Sequence, residues 1–134
     1  MKAATVVRIV LVPALVLGTW AAALAGPRQL LAPPLLAPAN GTLRCTVLNA
    51  SAKKPVEDLS VGFKRAGGAT TGTGCPTSLG TNDACVETSA AGFCSSLPCA
   101  CIVSYRKGDR KSVRALMMSV TSGGVVEHVV ELSP

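Results

Sequence analysis

The sequence predicts an all-β fold, a small antiparallel sandwich or open barrel of about six short strands, stapled by disulfides. Three observations point there. Apolar and polar residues alternate with a period of two in several stretches. Turn-forming residues recur between those stretches, and none of them carries the spacing of an amphipathic helix. Six cysteines occur in 134 residues, five of them between Cys75 and Cys101.

The amino end sets the context for those cysteines. Met1, Lys2 and Arg8 lead into an apolar run from Ile9 to Leu24, and Ala23-Leu24-Ala25 places small residues where a signal peptidase reads. Residues 1–25 are expected to be a secretory signal peptide, with a secreted or periplasmic destination. The run is interrupted by Pro13 and is shorter than the roughly 20 residues that a spanning helix needs. Without Lys2 and Arg8 the 13 cations fall to 11, against 7 acidic residues, a net charge of +4. That balance is too mild to indicate a nucleic-acid binder, and none is expected. Trp20 belongs to the signal, so Phe63, Phe93 and Tyr105 are the remaining aromatics. A core of Val, Leu, Ile and Ala buries little surface per side chain. An even number of cysteines in a small exported chain reads as the covalent answer to that weakness.

In chain order, residues 26–41 contain Pro27, Pro33, Pro34 and Pro38 among paired leucines. Proline here blocks helix and ladder bonds, so an extended, loosely packed leader is expected, with the domain proper spanning 42–134. In the next stretch Leu43, Cys45 and Val47 alternate with polar residues as on a half-buried strand. Lys53-Lys54-Pro55 marks a turn, and Val56 to Lys64 resumes the alternation with Leu59, Val61 and Phe63 on one face. Gly67 to Gly74 is a flexible connection; without Gly-Lys-Ser/Thr after it, it is no phosphate-binding loop.

The cysteine-rich centre follows. Cys75 to Leu79 and Ala84 to Thr88 flank the turn Gly80-Thr81-Asn82-Asp83, so a Cys75–Cys85 bridge would close a hairpin-like loop. Cys99 and Cys101 share one face of a strand and each wants a different partner. Pairing Cys45 with Cys101 ties two apolar strands across the core and leaves Cys99 to the nearby Cys94. A zinc site of Cys99, Cys101 and other thiolates lacks the two-residue gap, so no metal or other cofactor is expected.

Beyond Tyr105, Gly108-Asp109 sits between Arg106-Lys107 and Arg110-Lys111, which reads as a β-hairpin with a charged tip. With Arg114 it gives five cations suited to an anionic surface, although no aromatic interleaves to stack on bases or sugars. Ser112 to Thr121 and Val125 to Leu132 are two further strands joined by Ser122-Gly123-Gly124. In the last, Glu127 and Glu131 are expected on one face and Val126, His128, Val130 and Leu132 on the other. His128 is the one histidine, no serine stands in a Gly-x-Ser-x-Gly setting, and carboxylates are scattered. The chain is not expected to be an enzyme.

Cys45, then Cys75-Pro76-Thr77-Ser78-Leu79-Gly80 up to Cys85, then Cys101-Ile102-Val103 and Val113-Arg114-Ala115-Leu116 form an ordered set of short motifs. Over most of residues 42–120 this resembles a loose group of small secreted, uncharacterised bacterial proteins; Cys94 and Cys99 are additional to the pattern. The resemblance implies a secreted β domain and no activity. Asn40-Gly41-Thr42 and Asn49-Ala50-Ser51 are glycosylation triplets, meaningful only in a eukaryotic secretory pathway. Three functional classes fit these residues. The first is a secreted structural or interaction domain. The second is a module that binds anionic surfaces through Arg106, Lys107, Arg110, Lys111 and Arg114. The third is an inhibitor of a secreted hydrolase that presents the loop Ser89 to Leu97.

Overall fold

A computed structural model of the chain describes residues 26–68, 70–71 and 74–134, and the expected signal peptide lies outside the described residues. Ten strands and no helix are found among the described residues. One sheet has the spatial order β1 (Arg28–Leu31), β8 (Cys99–Tyr105), β4 (Ser60–Arg65) and β5 (Thr70–Thr71). The other runs β10 (Val126–Glu131), β9 (Val113–Val120), β2 (Thr42–Asn49) and β7 (Asp83–Thr88). A ribbon of β3 (Val56–Glu57) and β6 (Ser78–Leu79) stands apart, and every pairing is antiparallel. Among them β2, β4, β7, β8, β9 and β10 have six residues or more, which matches the number of strands that alternation predicts.

Alternation explains why two sheets form and why they close on each other. Along β2 the residues Leu43, Cys45 and Val47 are fully buried, and along β8 Cys99, Cys101, Val103 and Tyr105 are. Val61 and Phe63 of β4 and Val113, Ala115 and Met117 of β9 complete the two inner faces. Burying each such side chain contributes roughly 1.5–3 kcal/mol, so the one-sided pattern can be satisfied only by face-to-face packing. The Cys45–Cys101 bridge crosses this core and joins the two sheets. Cys75–Cys85 and Cys94–Cys99 close shorter loops, and no cysteine is free. All three bridges agree with the pairing preferred from the sequence.

Several local expectations are corrected. The leader does not lie outside the domain: β1 pairs with β8, and Leu30, Ala32 and Ala37 are buried. Its prolines flank the strand instead of interrupting it, and β1 is an edge strand, where missing donors do least harm. Farther on, Leu35 and Cys99 exchange backbone hydrogen bonds and the Ala37 N–H donates to Cys94 O, so the leader clasps both ends of the Cys94–Cys99 loop. β1 and the segment through Ala37 are therefore part of the domain. The stretch from Val56 to Lys64 is broken into β3 and β4 at Asp58, which adopts a left-handed backbone with φ of 53°. Ser78 and Leu79 pair with β3 and not with β7, so Cys75–Cys85 fastens a connection and not a hairpin ladder.

The charged hairpin is also absent. Its flanking strands β8 and β9 belong to different sheets, so residues 106–112 cross from one layer to the other, a gap of about 10 Å. Gly108 makes the bend at φ 146°, where an added Cβ would stand 3.2 Å from Val56 Cγ2. In β10 the pairing with β9 slips between Val126 and His128. The slip puts Val129 beside Met118 and Glu131 beside Leu116, so the expected grouping of Val126 with His128, Val130 and Leu132 holds only beyond the bulge.

The sequence separations of 56, 10 and 5 within the three bridges predict an order of stabilisation. Chain entropy assigns about 4, 3 and 2 kcal/mol respectively. Urea melts of the paired Cys→Ala variants should rank in that order, with Cys45→Ala/Cys101→Ala the least stable.

Candidate functional site: a basic cleft

The crossover from β8 to β9 is built by its own residues. The Asp109 carboxylate accepts from the Ser112 hydroxyl at 2.7 Å and from the Lys111 N–H at 3.2 Å, while its carbonyl accepts from the N–H of Ser112 and of Val113. These bonds hold the Asp109 carboxyl below the ordinary value, Ser112 contributing most. They also turn Asp109 inward onto its own loop and leave Arg110 and Lys111 pointing outward, both part of a cleft.

That cleft has a volume of about 710 Å³ and lies between β1, the crossover and the segment after β10. Its floor comes from the strand pattern: Leu30, Tyr105, Val113 and Leu132 are nearly fully buried and show it only their edges. Four cations surround it, Arg28 from β1, Arg110 and Lys111 from the crossover and Arg114 from the start of β9. No acidic side chain lines it. Arg28 is held in place, its Nη1 donating to Gly108 O at 2.8 Å across 80 positions of sequence. Arg114 approaches Glu131 only to 3.7 Å with both side chains more than half exposed, a pairing worth little.

The five cations singled out in the sequence are thus divided. Arg110, Lys111 and Arg114 meet at the cleft. Lys107 is turned away into an ion pair with Glu57 at 2.9 Å, which raises its pKa through the hydrogen bond and the carboxylate charge. Arg106 is exposed, and only its backbone N–H is engaged, with Glu57 O. Arg28 escaped the sequence reading. Nothing local marks it, because only the pairing of Arg28 with Tyr105 brings the leader to this end of the sandwich.

The remaining candidates are placed as follows. His128 is exposed on the edge strand β10. The loop Ser89 to Leu97 is anchored through buried Cys94 and through Arg65, whose guanidinium lies 4.6 Å over the Phe93 ring. Leu48, Val86, Leu116 and Val129 are exposed on the outer face of the second sheet. Asn40 is exposed at a left-handed turn. Asn49 is fully buried and donates from Nδ2 to Lys54 O and Gly80 O at 2.9 Å, so only Asn40 offers a free amide. Among the described residues no group of three metal-binding side chains occurs. Comparison with protein-family models, curated proteins and solved structures finds no match to this chain.

Two outcomes follow from these contacts. In a eukaryotic secretory host, folded protein should carry any glycan on Asn40 and none on Asn49, and Asn49→Ala should cost about 2 kcal/mol in a urea melt by stranding the buried Ser51 N–H and two partly buried carbonyls. The turn held by ionised Asp109 contributes fully above the ordinary carboxylate pKa and is lost as pH falls through the lowered folded value. A carboxyl NMR titration should show that lowered midpoint, and Ser112→Ala should move it back up.

Proposed function

We propose that this protein is an exported, non-catalytic binding domain that takes an anionic partner at the cleft of Arg28, Arg110, Lys111 and Arg114. The observation that carries the reading is convergence. Cations from the leader and from the crossover, far apart in sequence, are gathered around one concavity with no acidic side chain in its lining. A scattered solvated charge pattern does not do this. Arg28 in particular, though exposed, is tied to the crossover by its bond to Gly108 O.

Export is supported by the three bridges, which use every cysteine and suit an oxidising compartment. The resemblance to small secreted bacterial β domains points the same way. Absence of catalysis is supported by the side chains themselves: no thiol is left as a nucleophile, and His128 stands on an exposed edge away from the cleft lining.

Heparin chromatography of the oxidised domain tests the reading, with heparin serving as a generic polyanion. Retention should fall with salt, and Arg28→Ser, Arg110→Ser and Lys111→Ser should each lower the slope of log affinity against log salt by about 1. Arg106→Ser, outside the cleft, should change it far less. Equal effects from Arg106 and the cleft residues, or no retention by the wild type, would overturn the proposal.

A further inference from the structure

We infer that the Cys75–Cys85 bridge is a redox clasp: a dithiol reductant opens it while the other two bridges stay closed, and its opening frees the backbone that covers the outer edge of β7. The clasp is independent of the cleft. Access separates the three bridges. Cys45, Cys101, Cys94 and Cys99 are each 0% exposed, whereas Cys75 and Cys85 are both part-exposed. A reductant thiolate has to reach one sulfur of a bridge to displace the other, so burial shields the first two. Loop length alone points elsewhere. Cys94–Cys99 closes the shortest loop and restricts the unfolded chain least, yet the leader seals it through the backbone bonds of Leu35 and Ala37.

The exchange balances between two disulfides. The reductant thiolate attacks the sulfur of Cys75 or Cys85, the S–S bond breaks, and a mixed disulfide forms while the other cysteine leaves as a thiolate and takes up a proton. The second thiol of the reductant then displaces the first cysteine. The reductant ends as a disulfide, and the protein gains two electrons and two protons.

What the clasp holds follows from the phase of the ladder. Ser89 N–H donates to Leu43 O at 2.9 Å, so these two form a hydrogen-bonded pair, and alternation repeats it at Cys45 with Glu87 and at Val47 with Cys85. Val86, between them, therefore turns its C=O away from β2 and toward the outer edge of the sheet. Gly74 stands at that edge, where an added Cβ would lie 3.1 Å from Val86 O. The N–H groups of Gly74 and Cys75 both donate to the carboxylate of Glu87, a residue that is nearly fully buried. Covering an edge strand in this way keeps it from pairing with other chains.

The opening is local because the connection has its own anchors from Thr77 onward. Leu59 N–H donates to Thr77 O at 2.8 Å, buried Leu79 pairs with Val56, and Asn49 Nδ2 donates to Gly80 O. Cys45–Cys101 still joins the sheets. Reduction thus frees Gly74 to Pro76, uncovers Val86 O and Glu87, and leaves the sandwich standing.

The test treats the oxidised protein with graded dithiothreitol, traps thiols with iodoacetamide and maps them by mass spectrometry. The expected product is labelled at Cys75 and Cys85 alone and keeps its near-UV circular dichroism. In it, amide hydrogen exchange at Gly74 and Cys75 should quicken by about tenfold, as loss of one shielded hydrogen bond does, with Val47 and Val103 unchanged. Cys75→Ser/Cys85→Ser should show the same exchange pattern without reductant. Label arriving first at Cys94 and Cys99, all six thiols arriving together, or loss of the native spectrum at the first step would overturn the inference. So would unchanged exchange at Gly74 and Cys75, or a double variant that does not fold.

Discussion

The bond between Cys45 and Cys101 is the constraint on which the two layers depend. The inner faces are made of valines, leucines, cysteines, alanine and Met117, with Phe63 and Tyr105 as their large rings, so the area available for burial is modest. A thin core gains from covalent links that restrict the unfolded chain. The bridge joins a central strand of one sheet to a central strand of the other, where it restricts the unfolded chain most and holds the packing distance of the whole sandwich. The other two bridges act locally. One pins the connection before β7, and the other pins the loop that the leader clasps.

With the layers fixed, the cleft is a by-product of how the chain changes layer. β8 ends at Tyr105 in one sheet and β9 begins at Val113 in the other, and the crossover has to span the open end of the sandwich. The segment after β10 also leaves its sheet there, since Leu132 N–H donates to Ala115 O whereas Ser133 pairs with Leu31. Two crossings at one end leave a concavity between them and β1. Arginine and lysine tolerate such a rim because their stems cover apolar edges while their charges stay in water.

Much of the fold was legible because period-two alternation reports burial directly. Leu43, Cys45 and Val47 or Val61 and Phe63 could face nowhere else, and the spacing of the cysteines within such strands indicated their partners. What escaped was pairing between distant segments. Gly108-Asp109 carries the local chemistry of a hairpin turn, but whether its flanking strands share a sheet depends on contacts with β4 and β2 that no window of sequence contains. The leader was misjudged for the same reason: prolines signal irregularity, yet an edge strand between them loses almost nothing. Of the candidate site, the crossover cations were visible as a run, whereas Arg28 exists as part of it only through the pairing of β1 with β8. The slip in β10 left no mark that alternation alone reveals.

β1 is completed only by segments far along the chain. Leu30 has no neighbour until Val103 is made, and the outer edge of Leu31 has none until Ser133 is. Pairings this distant make for slow assembly, since loop closure has to precede the contacts that reward it. A growing chain thus keeps its first strand unpaired through most of its synthesis, and topology itself acts as the timer that decides when the sandwich closes.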